Sequence, residues 1–251
     1  NAYNVAIGYD AGKEVTTGVS NTILGGQAGD ALTTGSYSVA IGHLALTNED
    51  TTSGNVAVGY KSLNDSDGGQ YNTALGYQSG ENITTGDDNT IVGAQAGDAL
   101  TTGSNNIIIG HDAAASAVDV SNEITLGDAN ISAFRCADDS ISTLSDRRDK
   151  SNIKDSEFGL DFINSIRPVE FTWDYRLEHM AEAKQGKTRI GFIAQELQEA
   201  MPNGENEILD LVYDIDENRI EAKYGKLVPI LTKAIQELSA EVKELKKQIN
   251  G

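Results

Sequence analysis

The sequence predicts a β-solenoid, a parallel β-roll of 17-residue coils, followed by a smaller α+β domain that ends in a long coiled-coil-like helix. Three observations predict this architecture. A pentapeptide of the form Asn-Val-Ala-Ile-Gly returns every 17 residues, the composition changes after residue 144, and the last segment carries apolar heptads. We therefore expect the roll over residues 1–127, a connector over 128–144 and the second domain over 145–251.

The pentapeptide predicts a strand in each repeat, because its apolar residues alternate between two faces. Seven copies and a degenerate eighth keep one phase, starting at Asn4, Asn21, Ser38, Asn55, Asn72, Asn89, Asn106 and Glu123. The second residue of each copy is β-branched and the fourth is aliphatic, as in Val5 and Ile7. We expect this pair to fill the inside of the coil. The residue between them, Ala6 in the first copy, would then pack against another chain.

Glycine ends every copy, as Gly8 does in the first, which predicts a corner with positive φ or a close backbone approach. A second turn cluster, Thr-Thr-Gly, recurs at 16–18, 33–35, 84–86 and 101–103. We therefore expect two short strands and two corners in each coil. Aromatic residues occupy the slot after the repeat glycine and predict a stacked surface ladder rather than a metal site: Tyr9, His43, Tyr60, Tyr77 and His111.

Charge and composition restrict the partners. Residues 1–144 carry 3 basic and 17 acidic side chains, a net charge of −14, whereas residues 145–251 carry 16 and 21, a net charge of −5. So acidic a surface repels phosphate backbones, and no nucleic-acid partner is expected. The single cysteine, Cys136, cannot form an internal disulfide framework. Because the chain lacks long apolar runs, zinc spacings and nucleotide-binding loops, we expect no membrane insertion, metal or cofactor.

After the repeat glycine, several copies continue as aromatic-x-Ala-Gly or a close variant, as in residues 9–12 and 77–80. Together with Asn-x-Ala-Ile-Gly, this pattern is similar to the head repeats of trimeric autotransporter adhesins. The resemblance covers residues 1 to about 127. It implies a left-handed parallel β-roll in which three chains pack around an axis.

Four segments follow one another in the second half: Ser-Asp-Arg-Arg-Asp-Lys at 145–150, Ile-Arg-Pro-Val at 166–169, Ile-Gly-Phe-Ile-Ala-Gln-Glu-Leu at 190–197 and Tyr-Gly-Lys-Leu-Val-Pro at 224–229. This order is similar to the C-terminal intramolecular chaperone domain of phage tailspikes, endosialidases and tail fibres, a self-cleaving serine peptidase family. The resemblance implies that Ser145 and Lys150 form a catalytic dyad. A serine hydroxyl becomes a good nucleophile when a neighbouring base, here the lysine amine, takes its proton.

The cleaved bond lies at Leu144, Ser145 or Asp146. When the Ser145 hydroxyl attacks the carbonyl of Leu144, the cyclic transition state has five members, whereas attack on its own carbonyl would need a strained four-membered ring. An attack within one chain therefore favours the Leu144–Ser145 bond. An attack from a neighbouring subunit leaves the Ser145–Asp146 bond open as the alternative.

The apolar pattern of the second domain predicts four elements. We expect an amphipathic helix over 158–166, a strand over 169–173, a short buried strand over 190–193, and a helix over 195–201 that Pro202 ends. Trp173 is interpreted as a core anchor rather than a ligand platform. His179 lies among charged residues and is expected to be exposed.

The C-terminal heptads predict a coiled coil. They place Val228, Ile235, Val242 and Ile249 at the first core position, and Leu231, Leu238 and Leu245 at the second. Taken alone, this combination favours two strands, whereas both resemblances imply three chains. We expect a homotrimer, and leave open that the short seam packs against its own domain.

The two resemblances together predict the distal part of a phage tail fibre or tailspike in the virion. Its chaperone domain would trimerise the chains, guide the roll into register and then be released by autoproteolysis in the host cytoplasm. A host-cell surface receptor or glycan is the expected partner of the fibre. The alternative is a bacterial trimeric surface adhesin that binds host receptors.

Overall fold

The computed structural model describes residues 3–48, 51–137, 143–174, 185–201, 206–216 and 219–250. The chain divides into two compact units, Asn1–Ile131 and Ser132–Gly251, and each has its own apolar core. The division lies between the boundaries predicted at residues 127 and 145, and both boundaries remain predictions. His179 and Pro202 lie outside the described residues.

The first unit is the predicted β-solenoid. Its eight three-residue strands form one parallel sheet in chain order: β1 Val5–Ile7, β2 Thr22–Leu24, β3 Val39–Ile41, β4 Val56–Val58, β5 Thr73–Leu75, β6 Thr90–Val92, β7 Ile107–Ile109 and β8 Ile124–Leu126. Each residue pairs with the one 17 positions further on, as Val5 does with Thr22. The sequence period is therefore the coil period, and the register runs unbroken from β1 to β8.

The predicted orientation of the strands is wrong. In β2 to β7 the middle residue is the buried one: Ile23, Ala40, Ala57, Ala74, Ile91 and Ile108 are at most 1% exposed. The flanking residues, such as Thr22 and Leu24, face outward and are half-buried or exposed. A coil of 17 residues closes so tightly that its interior accepts one strand side chain, where alanine fits well. The bulkier pair forms two outward columns along the roll.

The second predicted strand of each coil is also absent from the described residues, in which the roll has only the β1–β8 sheet. Turns take its place, and backbone hydrogen bonds link them from coil to coil. Examples are Gly12 N–H to Ala28 O at 3.0 Å and Glu14 N–H to Asp30 O at 2.9 Å. Thr-Thr-Gly thus marks a corner of a coil that has one strand.

The repeat glycine occupies the corner that its conservation of spacing predicted. At Gly59 φ is +140°, and a Cβ atom would lie only 2.1 Å from the carbonyl oxygen of Gly76 in the next coil. A side chain there would meet backbone, which cannot move aside without opening the coil stack. Both reasons proposed for the glycine, positive φ and close approach, are therefore confirmed.

Buried asparagines form a ladder inside the roll. Oδ1 of Asn72 accepts a hydrogen bond from the backbone N–H of Asn89 at 3.0 Å, and its Nδ2 donates to the carbonyl of Gly86 at 2.7 Å. The same two bonds recur at Asn4, Asn21, Asn89 and Asn106. Ser38 holds one rung instead, and its buried hydroxyl has no hydrogen-bond partner. The ladder satisfies buried backbone groups that the short strands leave over.

The second unit has four helices and four strands in its described part. They are α1 Leu160–Ser165, β9 Val169–Thr172, β10 Thr188–Gly191, α2 Ala194–Glu199, α3 Asn206–Leu209, β11 Val212–Asp216, β12 Arg219–Ala222 and α4 Leu227–Asn250. β9 pairs with β10 and β11 with β12, both antiparallel. The core takes residues from every helix, including Phe162, Leu197, Leu209 and Ile230.

Two expectations for this unit need correction. The strand expected to be buried at 190–193 is β10, which starts at Thr188, and Ile190 in it is 78% exposed. Trp173 is half-buried and packs edge-on against Phe171 rather than in the core cluster. It lines a cavity of about 360 Å³ together with Lys187 and Arg189. A two-stranded hairpin has only one face to bury, so these apolar side chains stay at its surface.

Helix α4 carries two separate apolar stripes. Leu227, Ile230 and Ala234 are buried and pack its first turns against the domain core. The seven heptad residues lie on another face and are 40–81% exposed. The seam therefore does not pack against its own domain, and that open alternative is wrong. Within the described residues, no helix combines the length and the apolar character needed to cross a bilayer.

Candidate active site

A single turn of 3₁₀ helix, Arg147–Asp149, shapes the segment that contains Ser145 and Lys150. Asp146 caps the turn: its backbone is extended, and its carboxylate accepts a hydrogen bond from the Arg148 N–H at 2.8 Å. Backbone bonds from Asp149 N–H to Asp146 O and from Lys150 N–H to Arg147 O, both 3.2 Å, close the turn. Ser-Asp at its start is a favourable capping sequence, because short polar side chains satisfy the free N–H groups.

The turn brings the two predicted dyad residues together. Lys150 Nζ donates a hydrogen bond to Ser145 Oγ, with 2.6 Å between the atoms. A hydroxyl at this distance from an amine can pass its proton to the amine when the amine is neutral. The sequence separation of five thus becomes direct contact through one turn of helix. Leu144, on the other side of the predicted cleavage point, is 98% exposed.

Charged neighbours of the pair are largely committed to one another. The Arg148 guanidinium bonds both carboxylate oxygens of Asp146, with Nη2 to Oδ2 at 2.7 Å and Nε to each oxygen at 3.1 Å. These side-chain bonds, with the backbone N–H of Arg148, lower the pKa of the Asp146 carboxyl below its usual value. The same ion pair raises the pKa of Arg148. The positive charge of Arg148 is thereby offset by Asp146 rather than directed at Lys150.

Solvent reaches the whole segment in a single chain. Every residue from 143 to 157 is exposed, including Ser145 and Lys150. Burial is one of the ways in which proteins favour the neutral form of a lysine, and no described residue of this chain covers the pair. The arrangement supplies the contact between nucleophile and base. It does not supply a dry environment.

Sequence reasoning missed the contact that ties the start of this domain to its end. Oε2 of Glu237 on α4 accepts a hydrogen bond from the N–H of Leu160 at the start of α1, at 2.7 Å. This bond lowers the pKa of Glu237. Gly159 makes room for it, since a Cβ atom there would lie 2.2 Å from Oε2 of Glu237. The residues are 77 positions apart, and only the Gly-Leu pair in the sequence hinted at a close approach.

The aromatic slot of the roll behaves as predicted where rings are adjacent. His43 stacks on Tyr60 at 5.7 Å between ring centroids, and Tyr60 stacks on Tyr77 at 5.2 Å. The rings therefore use their faces on one another. Among the described residues, no three His, Cys, Asp or Glu side chains are grouped so that they could hold a metal ion.

Comparison with known protein families identifies the second unit. Residues 145–204 match the family described as chaperone of endosialidase, and the match begins at Ser145 itself. The C-terminal unit contains a chaperone-of-endosialidase domain. This confirms the resemblance drawn from the four segments of the second half. No curated protein and no solved structure matches the chain, and the resemblance of the repeats to adhesin heads remains a prediction.

The family assignment limits the function more closely than the fold does. Chaperone-of-endosialidase domains are self-cleaving chaperone domains, which agrees with a Ser145–Lys150 contact at the start of the match. A β-solenoid joined to such a chaperone domain fits a protein of the phage tail fibre or tailspike type. The fold alone would not justify this conclusion, because β-solenoids serve many functions.

Proposed function

We propose that this chain is the distal part of a phage tail fibre or tailspike whose C-terminal domain trimerises, guides folding of the β-roll and is then released by autoproteolysis. The observation that carries the proposal is the 2.6 Å contact between Lys150 Nζ and Ser145 Oγ at the first residue of the chaperone-of-endosialidase match. Fold and family agree on the type of protein. The contact supplies the chemistry that would release the domain.

The proposed cleavage proceeds in two steps. Lys150 in its neutral form takes the proton of the Ser145 hydroxyl, and Oγ attacks the carbonyl carbon of Leu144. The C–N bond breaks, the proton passes from the lysine to the departing amine of Ser145, and an ester joins Leu144 to Oγ. Water then hydrolyses the ester, which leaves a carboxylate on Leu144 and a free hydroxyl on Ser145. Each chain reacts once, because it is its own substrate.

A neighbouring chain would supply what the single chain lacks at the site. General-base catalysis by lysine needs the neutral amine, and exclusion of water favours that form. The exposed segment 143–157 would gain such a cover when three copies assemble. Cleavage would then follow assembly, so that the chaperone is released only after it has acted.

Two unpartnered apolar surfaces support assembly into a homotrimer. The outward columns of the roll contain exposed aliphatic side chains such as Ile7, Leu24 and Leu75, which are 60%, 45% and 49% exposed. The heptad seam of α4 is the second surface. Soluble proteins rarely leave apolar surface of this extent uncovered. A second and third copy of the same chain would cover both surfaces, because each copy presents the same columns at the same spacing.

Coils that repeat every 17 residues explain why the roll needs a chaperone. Two chains displaced by one whole coil would still match glycine to glycine and aliphatic to aliphatic, so a wrong register costs little. Assembly of strands from different chains is also slow and leaves apolar edges exposed. A C-terminal domain that trimerises first would set the register. Its removal would make the folded state kinetically irreversible.

The proposed setting is the virion, with the roll as part of the fibre and a host-cell surface receptor or glycan as its partner. The chaperone domain would be released in the host cytoplasm during assembly of the particle. These assignments extend the tail fibre type to this chain and rest on it.

The self-cleavage is tested by intact mass spectrometry of the purified chain. The wild-type protein should give fragments of 144 and 107 residues, corresponding to residues 1–144 and 145–251, whereas Ser145→Ala and Lys150→Ala should stay whole. Ser156→Ala, an exposed serine outside the contact, is the matched control and should cleave normally. A wild-type chain that stays intact after prolonged incubation contradicts the dyad. A fragment that begins at Asp146 would reject only the attack within one chain.

The chaperone role is tested by expressing residues 1–144 alone. Near-identical coils offer several registers of similar free energy, so this shorter chain should aggregate or misassemble, whereas the self-cleaving chain yields a soluble trimeric roll. Once formed and released, the roll should resist heat and detergent, because its coils unfold only as a coupled array. Equal yields of soluble trimer from both chains would show that the C-terminal domain is no chaperone, and would favour the adhesin alternative.

A further inference from the structure

A column of exposed tyrosines runs along one corner of the roll. The residue before each ladder asparagine adopts positive φ, and in alternate coils this slot holds Tyr3, Tyr37 and Tyr71. They are 78%, 68% and 62% exposed. Ser20 and Gly54 fill the slots between them, so large and small residues alternate. We call these five residues the tyrosine column.

Backbone conformation gives no reason for tyrosine in this slot. The three φ values are +47°, +61° and +58°, a region that favours glycine, asparagine and aspartate and that strains bulky residues. Other coils use the expected types here, with Asp88, Asn105 and Asn122. Strain of this kind costs about 1–3 kcal/mol at each position and is often associated with function. The rings therefore need another explanation than the fold.

The ring of Tyr71 lies along the surface rather than projecting from it. A Cβ atom on Gly54 would come within 2.7 Å of Cδ1 and 2.9 Å of Cε1 of that ring, so glycine clears the space in which the ring rests. The backbone N–H groups of Tyr37 and Tyr71 donate to carbonyls of the preceding coil, at 2.9 Å to Val19 and 3.4 Å to Ser53. The column is thus held in place before any ligand arrives, which lowers the entropy lost on binding.

The opposite aromatic column differs in the respect that matters for binding. His43, Tyr60 and Tyr77 lie in successive coils and stack on one another, with interplanar angles of 22° and 20°. Their faces are covered by each other. In the tyrosine column the rings are two coils apart, which at about 4.8 Å per strand is about 10 Å, too far for mutual stacking. Each ring therefore keeps a face for another molecule.

We propose that the tyrosine column is a binding surface for a linear, neutral, β-linked polysaccharide. A sugar ring stacks its axial C–H groups on an aromatic face, and the disaccharide repeat of an extended β-linked glycan is similar in length to the interval between two tyrosines. Polar side chains that can bond sugar hydroxyls border the rings, with Ser36 beside Tyr37 and exposed Gln70 beside Tyr71. The net charge of −14 on residues 1–144 disfavours polyanionic glycans. This inference deepens the proposed host recognition and rests on it.

Calorimetric titration of the full wild-type chain with cellohexaose and chitohexaose tests the proposal, with curved maltohexaose for comparison. At least one β-linked hexasaccharide should bind, and its disaccharide, which reaches one ring, should bind at least about tenfold more weakly. Tyr37→Asn and Tyr71→Asn remove rings without backbone strain, since Asn105 occupies the same slot. Each should weaken binding about tenfold, whereas the control Tyr77→Ala in the stacked column should not.

Three outcomes would overturn the proposal. One is that neither β-linked hexasaccharide binds at millimolar concentration, or that maltohexaose binds as well. Another is that Tyr77→Ala weakens binding as much as Tyr37→Asn does. The third is that Tyr37→Asn lowers the mass seen by sedimentation, because the column would then be a contact between copies. Self-cleavage and oligomeric mass, measured on the same samples, report separately on the proposed fibre function.

Discussion

Lys150 Nζ and Ser145 Oγ lie 2.6 Å apart because one turn of 3₁₀ helix folds the chain back between them. The turn itself depends on Asp146, whose carboxylate caps the Arg148 N–H and binds its guanidinium. The geometry of the proposed dyad is therefore coupled to a residue that takes no part in the chemistry. Because the segment is exposed, no tertiary packing within the chain replaces this support.

Asp146→Ala should slow self-cleavage several-fold, because an N-cap contributes about 1 kcal/mol to its turn. Asp146→Asn keeps an acceptor for the N–H but loses the ion pair, so its rate should lie between those of alanine and wild type. The lowered pKa of Asp146 means that the carboxylate cap is complete above the ordinary aspartate range and is lost only as the pH falls through the lowered value. Rates from denaturing gels check the order, with Asp155→Ala as an exposed control expected to match wild type.

Asn72→Ser should destabilise the roll by about 3 kcal/mol, since it leaves buried partners of the asparagine unsatisfied. Those partners are the backbone N–H and Nδ2 of Asn89, both at 3.0 Å, and the carbonyl of Gly86 at 2.7 Å. Guanidinium unfolding of the released roll measures the change. The control is Asn82→Ser, which loses a single exposed bond to Asp98 O and should cost less than about 1 kcal/mol. Equal losses in both variants would contradict the ladder.

Ser38→Asn should stabilise the roll by about 1 kcal/mol. The Ser38 hydroxyl is buried without a hydrogen-bond partner, and asparagine there would restore the bonds that neighbouring rungs make. Ser104→Asn serves as the control, because its hydroxyl already accepts a bond from the Asp87 N–H at 3.0 Å. A higher unfolding midpoint for Ser38→Asn alone is the expected result. A lower midpoint would show that the rung at Ser38 cannot accommodate an amide.

Leu238→Asp should dissociate the proposed trimer, since it places a charge in the middle of the exposed heptad seam. Light scattering on the uncut Ser145→Ala background should give three times the chain mass of 26.7 kDa before this change and a lower mass after it. The same substitution at Gln236, an exposed residue of α4 outside the seam, is the control and should keep the trimer. A background protein that is already monomeric or dimeric would refute the trimer itself.

The sequence by itself determined the features that repeat or lie close along the chain. A fixed period of 17 placed every strand of the roll and every corner glycine, because each coil repeats the constraints of the previous one. The heptads located α4, and a separation of five residues with a capping aspartate sufficed for the contact of Ser145 with Lys150. In each case a local rule, strand alternation, helix periodicity or turn capping, decides the outcome.

Only the tertiary structure decided which face of each strand is inside. Alternation defines two apolar faces but not their direction, and the tight coil reverses the expected choice by accepting Ile23 and excluding Leu24. The ladder asparagines lie two residues before the buried position and share its face, a signal that would have favoured the correct orientation. The bond from Leu160 to Glu237 likewise spans 77 positions, where no local pattern reaches. Packing of distant groups into a closed volume fixes such choices, and it acts only after the chain has folded.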